Sequence, residues 1–348
     1  MTTQTPQGEL SRAPVAAAIG HLESVEAYSN FLTATRGSGQ PPIAMDQVER
    51  VIRRLEPMPI CNLVVRSPTG AVISAVYIDA FLLADAKGLA AAAEAVTRVQ
   101  AAYRAAAQSG VRLVTLGGFS SIVGEFAQLN PSRDYGIAFT TGNALTAAVI
   151  AEQVLEGLDG AATTVTVVGA AGDVGSGLCR ILHARGLALR LVGRRPGPLE
   201  ALAATLPGAR VQKWDDAAPE SDVVVLVSSA SHHGVPLDGV PASALVLDAG
   251  HPPNAGPPPA GGPRYARAGR VRLHHPLESD LPEFIGCFSG GELHACLAEG
   301  MALALEGRWE SYSSGRGGIT PERAAEILAL ATRHGIEPAP LRFRSAED

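Results

Sequence analysis

The chain has 348 residues, a formal net charge of −6 at pH 7, 46% hydrophobic residues and 18% charged residues. This length suggests two or three domains, the composition is that of a globular protein with a sizeable core, and the charge argues against non-specific nucleic-acid binding. The four cysteines lack C-x-x-C spacing, and neither a signal peptide nor a membrane span is indicated, so we expect a cytoplasmic protein with reduced thiols.

The first predicted elements form an α/β domain, which we place at residues 1–158. Two β-rich runs, CNLVVRSP and AVISAVYID, flank a Pro-Thr-Gly turn and predict a hairpin. An Ala-rich helix is expected over residues 85–108, and a strand over residues 111–118 enters a glycine turn. A further helix is expected over residues 142–157.

The second predicted domain, at residues 159–285, has a different pattern. The apolar runs VTVVGA, LALRLVG, SDVVVLVSS and ALVLDAG alternate with helical segments. Continuous apolar runs are typical of strands buried on both faces of a parallel sheet, so they predict a doubly wound Rossmann domain. The remainder, residues 286–348, is predicted to be a C-terminal helical segment with helices over residues 290–307 and 320–334.

A glycine-rich turn opens the second domain. The segment VTVVGAAGDVGSGLCRIL has the order strand, turn, helix, and its glycines are spaced G-x-x-G-x-x-G. Glycine permits the tight turn and a close approach of backbone N–H groups to a pyrophosphate, which the helix N-terminus also favours. We therefore expect a dinucleotide to be bound by Gly169, Ala170, Gly172, Asp173, Val174, Gly175 and Ser176.

The choice of dinucleotide is predicted from the end of the next strand. Arg194 and Arg195 lie about twenty residues past the glycine turn, where an NAD enzyme typically carries an acidic residue. Arginines offer a cationic fork for a 2′-phosphate, so the pattern favours NADPH. His232 and His233 follow a later strand and are candidates to flank the nicotinamide, although a loop histidine pair more often has no such role.

Two turns of the first domain are candidates for substrate binding. Gly118 and Phe119 follow a predicted strand end and are candidates to shape the substrate pocket. Thr140, Thr141 and Asn143 open a predicted helix and offer N–H groups and polar side chains to an oxyanion. No His, Cys, Asp or Glu cluster has metal-ligand spacing, so we expect no metal site.

The residues by themselves leave the activity open. Packing is the plain explanation for each of the four cysteines, which are Cys61, Cys179, Cys287 and Cys296. A shikimate-, quinate- or tetrahydropterin-type NADP dehydrogenase would also join an α/β substrate domain to a Rossmann domain. A shikimate-type mechanism needs a Lys/Asp pair, and Lys87, the only lysine of the first domain, is expected in the long helix. A non-enzymatic NADPH sensor is the other alternative.

Seven stretches run in order through nearly the whole chain: IGHLESVE, LGGFSSIV, FTTGNALTA, VVGAAGDVGS, LDAGHPPN, ACLAEGMALALEG and SGRGGIT. Together they resemble the long-chain acyl-[acyl-carrier-protein] reductase family, whose members form fatty aldehydes. The sequence departs from the family pattern at His251, where a tyrosine is expected, and at Ser313, where a tryptophan is expected. The segment LPEFIGCFSGGELHA is also shorter.

The resemblance implies an N-terminal substrate domain, a central Rossmann domain and C-terminal helices. It implies NADPH-dependent reduction of an acyl thioester to an aldehyde, with Cys296 as the nucleophile. The implied partners are acyl carrier protein or a coenzyme A thioester, and an enzyme that consumes the aldehyde. Because an acyl carrier should be acidic, we expect a local arginine cluster, for which four residues are available: Arg53, Arg54, Arg308 and Arg316.

Overall fold

The computed structural model describes residues 10–22, 24–37, 39–82, 89–158, 164–228, 234–256, 258, 260–285, 292–315 and 317–344. In chain order the strands are β1 (Ala16–Gly20), β2 (Met58–Arg66), β3 (Val72–Asp79), β4 (Leu113–Leu116), β5 (Ala138–Thr140), β6 (Thr164–Val168), β7 (Ala188–Val192), β8 (Arg210–Val211), β9 (Val223–Leu226), β10 (Leu245–Asp248), β11 (Arg264–Arg267), β12 (Arg270–Leu273), β13 (Glu278–Ser279), β14 (Glu292–His294), β15 (Ile336–Pro338) and β16 (Phe343–Arg344). The α-helices are α1 (Val25–Thr35), α2 (Met45–Ile52), α3 (Leu89–Gln108), α4 (Phe119–Phe126), α5 (Pro131–Tyr135), α6 (Asn143–Glu156), α7 (Asp173–Ala184), α8 (Pro196–Ala204), α9 (Trp214–Ala217), α10 (Pro282–Ile285), α11 (Ala295–Leu305) and α12 (Pro321–Arg333).

The chain forms two compact units, each built from separate stretches of sequence. The first unit contains residues 1–142, 272–314 and 329–337, and the second contains residues 143–271, 315–328 and 338–348. This division differs from the expected boundaries of 1–158, 159–285 and 286–348. Helix α6 packs against α7 and therefore joins the second unit, and α11 packs against β1 and β4 of the first.

The first unit is organised around a six-stranded sheet of order β13-β2-β3-β1-β4-β5. Strands β2 and β3 pair antiparallel, which is the predicted hairpin, whereas β3, β1, β4 and β5 are parallel neighbours. The register places Gly20 of β1 beside Asp79 of β3. The carboxyl ends of the four parallel strands consequently lie along one edge of this sheet.

The second unit has a seven-stranded sheet of order β16-β11-β10-β9-β6-β7-β8. All its pairs are parallel except β11 with the edge strand β16. Strands β9 and β10 are buried along their whole length, as the continuous apolar runs predicted. Without β16 the order is that of the doubly wound dinucleotide-binding fold, whose switch point lies between β6 and β9. The mixed α/β fold with a Rossmann sheet is thus confirmed.

The C-terminal region differs from the predicted run of helices. Residues 292–294 form β14, and α11 begins only at Ala295. Ten of the eleven residues of α11 are buried, which is why this helix belongs to the core of the first unit rather than to a separate segment. No helix in the described part of the chain is long and apolar enough to cross a membrane.

Candidate active site

The glycine turn of the second unit leaves the carboxyl end of β6. Gly169 has φ +95°, and a Cβ there would come within 2.9 Å of the Ser228 backbone, which follows β9. The Gly172 N–H donates to the Gly169 carbonyl oxygen at 2.9 Å and closes the turn. Only glycine fits at Gly169, because both the positive φ and the neighbouring backbone exclude a side chain.

Helix α7 follows this turn without a side-chain cap at Gly172. A Cβ on Gly175 would overlap the Gly169 carbonyl oxygen, so the first helical turn and the glycine turn lie against each other. Asp173 lies in this first turn, and one of its carboxylate oxygens accepts a hydrogen bond of 2.8 Å from Asn143 Nδ2. The uncapped N–H groups of a helix start are suited to an anion such as a pyrophosphate.

The two arginines predicted to select NADPH follow β7. Arg194 and Arg195 are both exposed, and Arg195 is the N-cap residue of α8. Neither guanidinium forms an ion pair or hydrogen bond with any residue that the structure describes. Both are therefore available to a phosphate group, and the residues of this unit fit NADPH.

A buried network supports the sheet edge next to the glycine turn. Asp248, at the end of β10, is fully buried and accepts hydrogen bonds from the N–H groups of Gly250 and Asn254 and from the Tyr265 hydroxyl. The Asn254 side chain in turn bonds both the N–H and the carbonyl oxygen of Ser228, at 2.8 and 2.9 Å. These bonds fix the backbone that Gly169 contacts, and they give the LDAGHPPN stretch a structural role.

Cys296 is the second residue of α11 in the first unit. It is half-buried, whereas Cys61 and Cys179 are buried and desolvation raises the pKa of each thiol to about 12. Burial also raises the pKa of Cys296, and the Glu299 carboxylate adds to this, while hydrogen bonds from the backbone N–H groups of Gly118 and Leu297 lower it. The pKa of Cys296 is raised overall, and the N–H groups and the helix N-terminus offset part of the effect of burial.

Two glycines allow the backbone to approach this cysteine. A Cβ on Gly142, which has φ +71°, would overlap the backbone of Cys296. A Cβ on Gly117 would come within 2.5 Å of the Leu297 side chain. Gly118 adopts φ +54° and ψ −132°, a backbone conformation that is essentially restricted to glycine. The turns that follow β4 and β5 thus pack closely against the start of α11.

Helix α11 is joined to β5 by a buried hydrogen-bond network. The Thr140 hydroxyl donates to the Glu299 carboxylate and accepts from the Ser313 N–H, and Glu299 is fully buried. The Thr141 hydroxyl donates to the Ser313 carbonyl oxygen at 2.8 Å. Both hydroxyl protons are therefore used within the protein, and their role as oxyanion donors stays a prediction.

The chain is similar in sequence to a known reductase over nearly its whole length. The chain is 33% identical over 343 residues to the long-chain acyl-[acyl-carrier-protein] reductase of Synechococcus elongatus, an alignment covering 93% of this chain and 98% of that protein. The chain belongs to the long-chain acyl-[acyl-carrier-protein] reductase family. Membership of this family makes it an oxidoreductase, and NADPH is the cofactor that its residues fit.

Other similarities of this family member to known proteins are weaker. The aminotransferase PigE of a Serratia species is 28% identical over 327 residues, which are 83% of this chain but only 35% of that protein. The shikimate 5-dehydrogenase structure from Thermus thermophilus is 15% identical, covers 90% of this chain and 99% of its own, and has a TM-score of 0.36. No family model matches the chain.

The predicted residues of this reductase-family chain fall into two groups. Gly118, Phe119, Thr140, Thr141 and Cys296 lie in the first unit, where the Gly118 N–H acts to lower the pKa of the Cys296 thiol. Asn143 and the residues of the glycine turn lie in the second unit. Five residues considered from the sequence lie outside the described residues: Lys87, His232, His233, Cys287 and Arg316.

Sequence reasoning missed two buried polar residues at strand ends of the first unit. His21 is buried after β1 and accepts a hydrogen bond of 3.1 Å from the Phe119 N–H. Asp79 ends β3 and accepts from the Tyr28 hydroxyl at 2.8 Å. The one signal in the sequence was the IGHLESVE stretch, which was singled out only for its resemblance and given no chemical role.

Proposed function

We propose that this chain uses NADPH to reduce an acyl thioester to an aldehyde, with the acyl group held on Cys296 during the reaction. The observation that carries the proposal is the position of Cys296. It is a half-buried thiol at the start of a buried helix, where the backbone N–H groups of Gly118 and Leu297 act to lower its pKa. Family membership indicates the reaction in which such a thiol would take part.

The proposed reaction begins with the Cys296 thiolate. It attacks the thioester carbonyl carbon, a new carbon–sulfur bond forms, and the carrier thiolate leaves and takes up a proton. NADPH, when bound, supplies a hydride to the acyl carbon. The resulting tetrahedral oxyanion collapses, the carbon–sulfur bond to Cys296 breaks, and the aldehyde leaves. The thiolate is regenerated, and covalent catalysis divides one difficult step into two easier ones.

Backbone N–H groups would assist both chemical steps. In the resting protein the Gly118 and Leu297 N–H groups favour the ionised thiol. The same groups would be near the oxygen of an acyl group on Cys296, where negative charge develops during attack and during hydride transfer. The start of α11 contributes a positive helix-dipole end that acts in the same direction.

The carrier of the acyl group is proposed from the family to be acyl carrier protein, with coenzyme A as the alternative. Among the arginines considered for an acidic partner, Arg53 pairs with Glu49 at 2.6 Å and Arg308 is hydrogen-bonded to Glu310 at 2.7 Å. Arg54 is exposed. A carrier would thus have to compete with local acidic residues for two of these cations, and salt would weaken the interaction.

Substitution of Cys296 tests the proposed function. We expect Cys296→Ser to bind NADPH with the wild-type affinity and to form no aldehyde from a long-chain acyl thioester, because the hydroxyl is a far weaker nucleophile than a thiolate. Cys61→Ser, at a buried cysteine with a pKa of about 12, is the matched control and should retain turnover. Full turnover by Cys296→Ser would show that Cys296 is not the nucleophile.

Substitution of the two arginines tests the cofactor. Arg194→Ala combined with Arg195→Ala should weaken NADPH binding about tenfold or more, because a charge-assisted contact to a phosphate is worth about 1.5–3 kcal/mol. NADH binding should change little, since NADH lacks the 2′-phosphate. Fluorescence titration with each dinucleotide measures the two dissociation constants, whose ratio reports the preference for NADPH. An equal loss for the two dinucleotides would contradict a 2′-phosphate contact.

A further inference from the structure

The IGHLESVE stretch places a buried histidine against the turn that follows β4. His21 is 6% exposed and directly follows β1, whose neighbour β4 leads into Gly117, Gly118 and Phe119. We call these three residues the 117–119 turn. The mechanism above assigns no role to His21, and a buried histidine with specific partners requires a physical explanation.

Both ring nitrogens of His21 contact the backbone. The Phe119 N–H donates to Nε2 at 3.1 Å, and Nδ1 lies 2.9 Å from the Leu22 carbonyl oxygen. A backbone N–H can only donate and a carbonyl oxygen can only accept. These two contacts therefore require a neutral ring that carries its proton on Nδ1.

The 117–119 turn is held on both sides of Gly118. The Gly117 N–H donates to the Ile19 carbonyl oxygen at 2.7 Å, and the Phe119 N–H donates to His21. The N–H of Gly118 lies between them in the chain, and it acts to lower the pKa of the Cys296 thiol. Glycine adopts the φ and ψ of Gly118 without strain, so the hydrogen bonds on both sides limit how far this turn can move.

A second layer of hydrogen bonds fixes the His21 segment. The Leu22 N–H donates to the Tyr28 hydroxyl at 3.2 Å, and that hydroxyl donates to Asp79 Oδ1 at 2.8 Å. The same oxygen accepts from the Phe81 N–H at 2.6 Å. The backbone on which His21 lies is therefore anchored to the end of β3.

We propose that His21 is a positioning residue, whose neutral imidazole holds the 117–119 turn so that the Gly118 N–H is directed at the Cys296 sulfur and at the oxygen of an acyl group bound there. The inference deepens the proposed function and rests on it for the acyl group. The placement of the Gly118 N–H at the thiol can be tested without any acyl substrate.

Two substitutions separate the two contacts of His21. In His21→Asn the side-chain amide reaches the position of Nδ1 but not that of Nε2, so the Leu22 contact survives and the Phe119 contact is lost. In His21→Gln the longer side chain brings an acceptor oxygen near the position of Nε2. His183→Asn, on α7 of the second unit, controls for loss of a histidine.

The readout is the rate of Cys296 alkylation by iodoacetamide across a pH range, followed by peptide mass in the absence of NADPH and thioester. We expect His21→Asn to slow alkylation near pH 8 by about tenfold, because the Gly118 N–H would no longer be held where it favours the ionised thiol. His21→Gln should recover most of the rate. Glu299, the charged side chain that raises the Cys296 pKa, is unchanged in every variant.

Thermal unfolding of each variant shows whether the fold is retained. Wild-type alkylation rates and pH profiles in a folded His21→Asn would overturn the inference, as would equal losses in His21→Asn and His21→Gln. If the wild type makes no aldehyde, the proposed function fails. The alkylation rates of His21→Asn and His21→Gln relative to the wild type still decide whether His21 positions the turn.

Discussion

At the residue scale, the reactivity of Cys296 depends on opposing influences. Burial and the Glu299 carboxylate raise the pKa of its thiol, whereas N–H groups of Gly118 and Leu297 lower it. Glu299 lies three residues further along α11, on the same side of the helix, and is held there by the Thr140 hydroxyl. The negative charge therefore restrains ionisation of the thiol.

Removal of this charge should make the thiol more reactive. In Glu299→Gln the side chain keeps its shape and an acceptor oxygen for Thr140, but the repulsion between carboxylate and thiolate disappears. We expect the Cys296 pKa to fall and the alkylation rate near neutral pH to rise severalfold. The measurement is the pH profile of iodoacetamide labelling. An unchanged or slower profile would show that Glu299 does not act on the thiol through its charge.

Asp79 gives a prediction for stability. Burial raises the pKa of this carboxyl to about 7, although the Phe81 N–H and the Tyr28 hydroxyl act to lower it. Between about pH 4, where the unfolded carboxyl ionises, and pH 7, the folded state holds a proton that the unfolded chain has lost. The contribution of Asp79 to the unfolding free energy therefore falls as the pH rises, by up to about 1.4 kcal/mol per pH unit.

The variant Asp79→Asn should remove this dependence, because an amide does not ionise and its oxygen can still accept both hydrogen bonds. We expect the variant to gain stability relative to the wild type when the pH is raised from about 4 to 8. Urea unfolding at several pH values measures the difference, and Asp215→Asn, at an exposed position, is the control. A difference between variant and wild type that does not change with pH would contradict the prediction.

At the element scale, the glycine turn and the start of α7 pack against each other, and we propose that a dinucleotide binds there. In Gly175→Ala the added Cβ would overlap the Gly169 carbonyl oxygen and lie 3.0 Å from the Ala170 Cα. The turn would have to open, and we expect NADPH binding to weaken about tenfold or more, a loss of at least about 1.4 kcal/mol. Gly197→Ala is the matched control, because a Cβ there meets open space.

This substitution also separates the two halves of the proposed reaction. Acylation of Cys296 should continue in Gly175→Ala, since that step needs no dinucleotide. NADPH titration and acylation rates of the two glycine variants measure the separation. Wild-type NADPH affinity in Gly175→Ala would mean that the dinucleotide is not bound at this turn.

The sequence predicted the elements whose signals are local. Continuous apolar runs identified the strands of the Rossmann sheet, and glycine spacing identified the turn after β6. The C-terminal elements were predicted less well. The strand β14 has three residues, too few for a period, and its place next to α11 depends on pairing with the distant β12. Burial of α11 likewise depends on β1 and β4.

The polar contacts of the first unit were also not predictable from local sequence. Gly118 was a candidate because it follows a strand, but its contact with the thiol requires β4 and α11 to be adjacent. His21 and Asp79 are single polar residues at strand ends, and nothing in their local sequence marks them as partners of Phe119 and Tyr28. Hydrogen bonds between residues far apart in sequence have no periodic signal.

At the scale of the whole molecule, the chain passes between its two units more than once. The predicted boundary at residue 158 was based on the apolar runs that begin after it, whereas the observed division falls at Gly142, before α6. Each unit has parallel strands whose carboxyl ends carry its candidate residues. In the first these include His21 and Gly118, and in the second the glycine turn follows β6.

The central claim is that the acyl group is carried on Cys296 between thioester and aldehyde. Intact-mass measurement after incubation with a long-chain acyl thioester, without NADPH, tests it most directly. We expect one added acyl group, located at Cys296 by peptide mapping. This adduct should be absent from Cys296→Ser, and NADPH should release it from the wild type as aldehyde. Aldehyde formation without an adduct, or an adduct on another residue that NADPH discharges, would contradict the account.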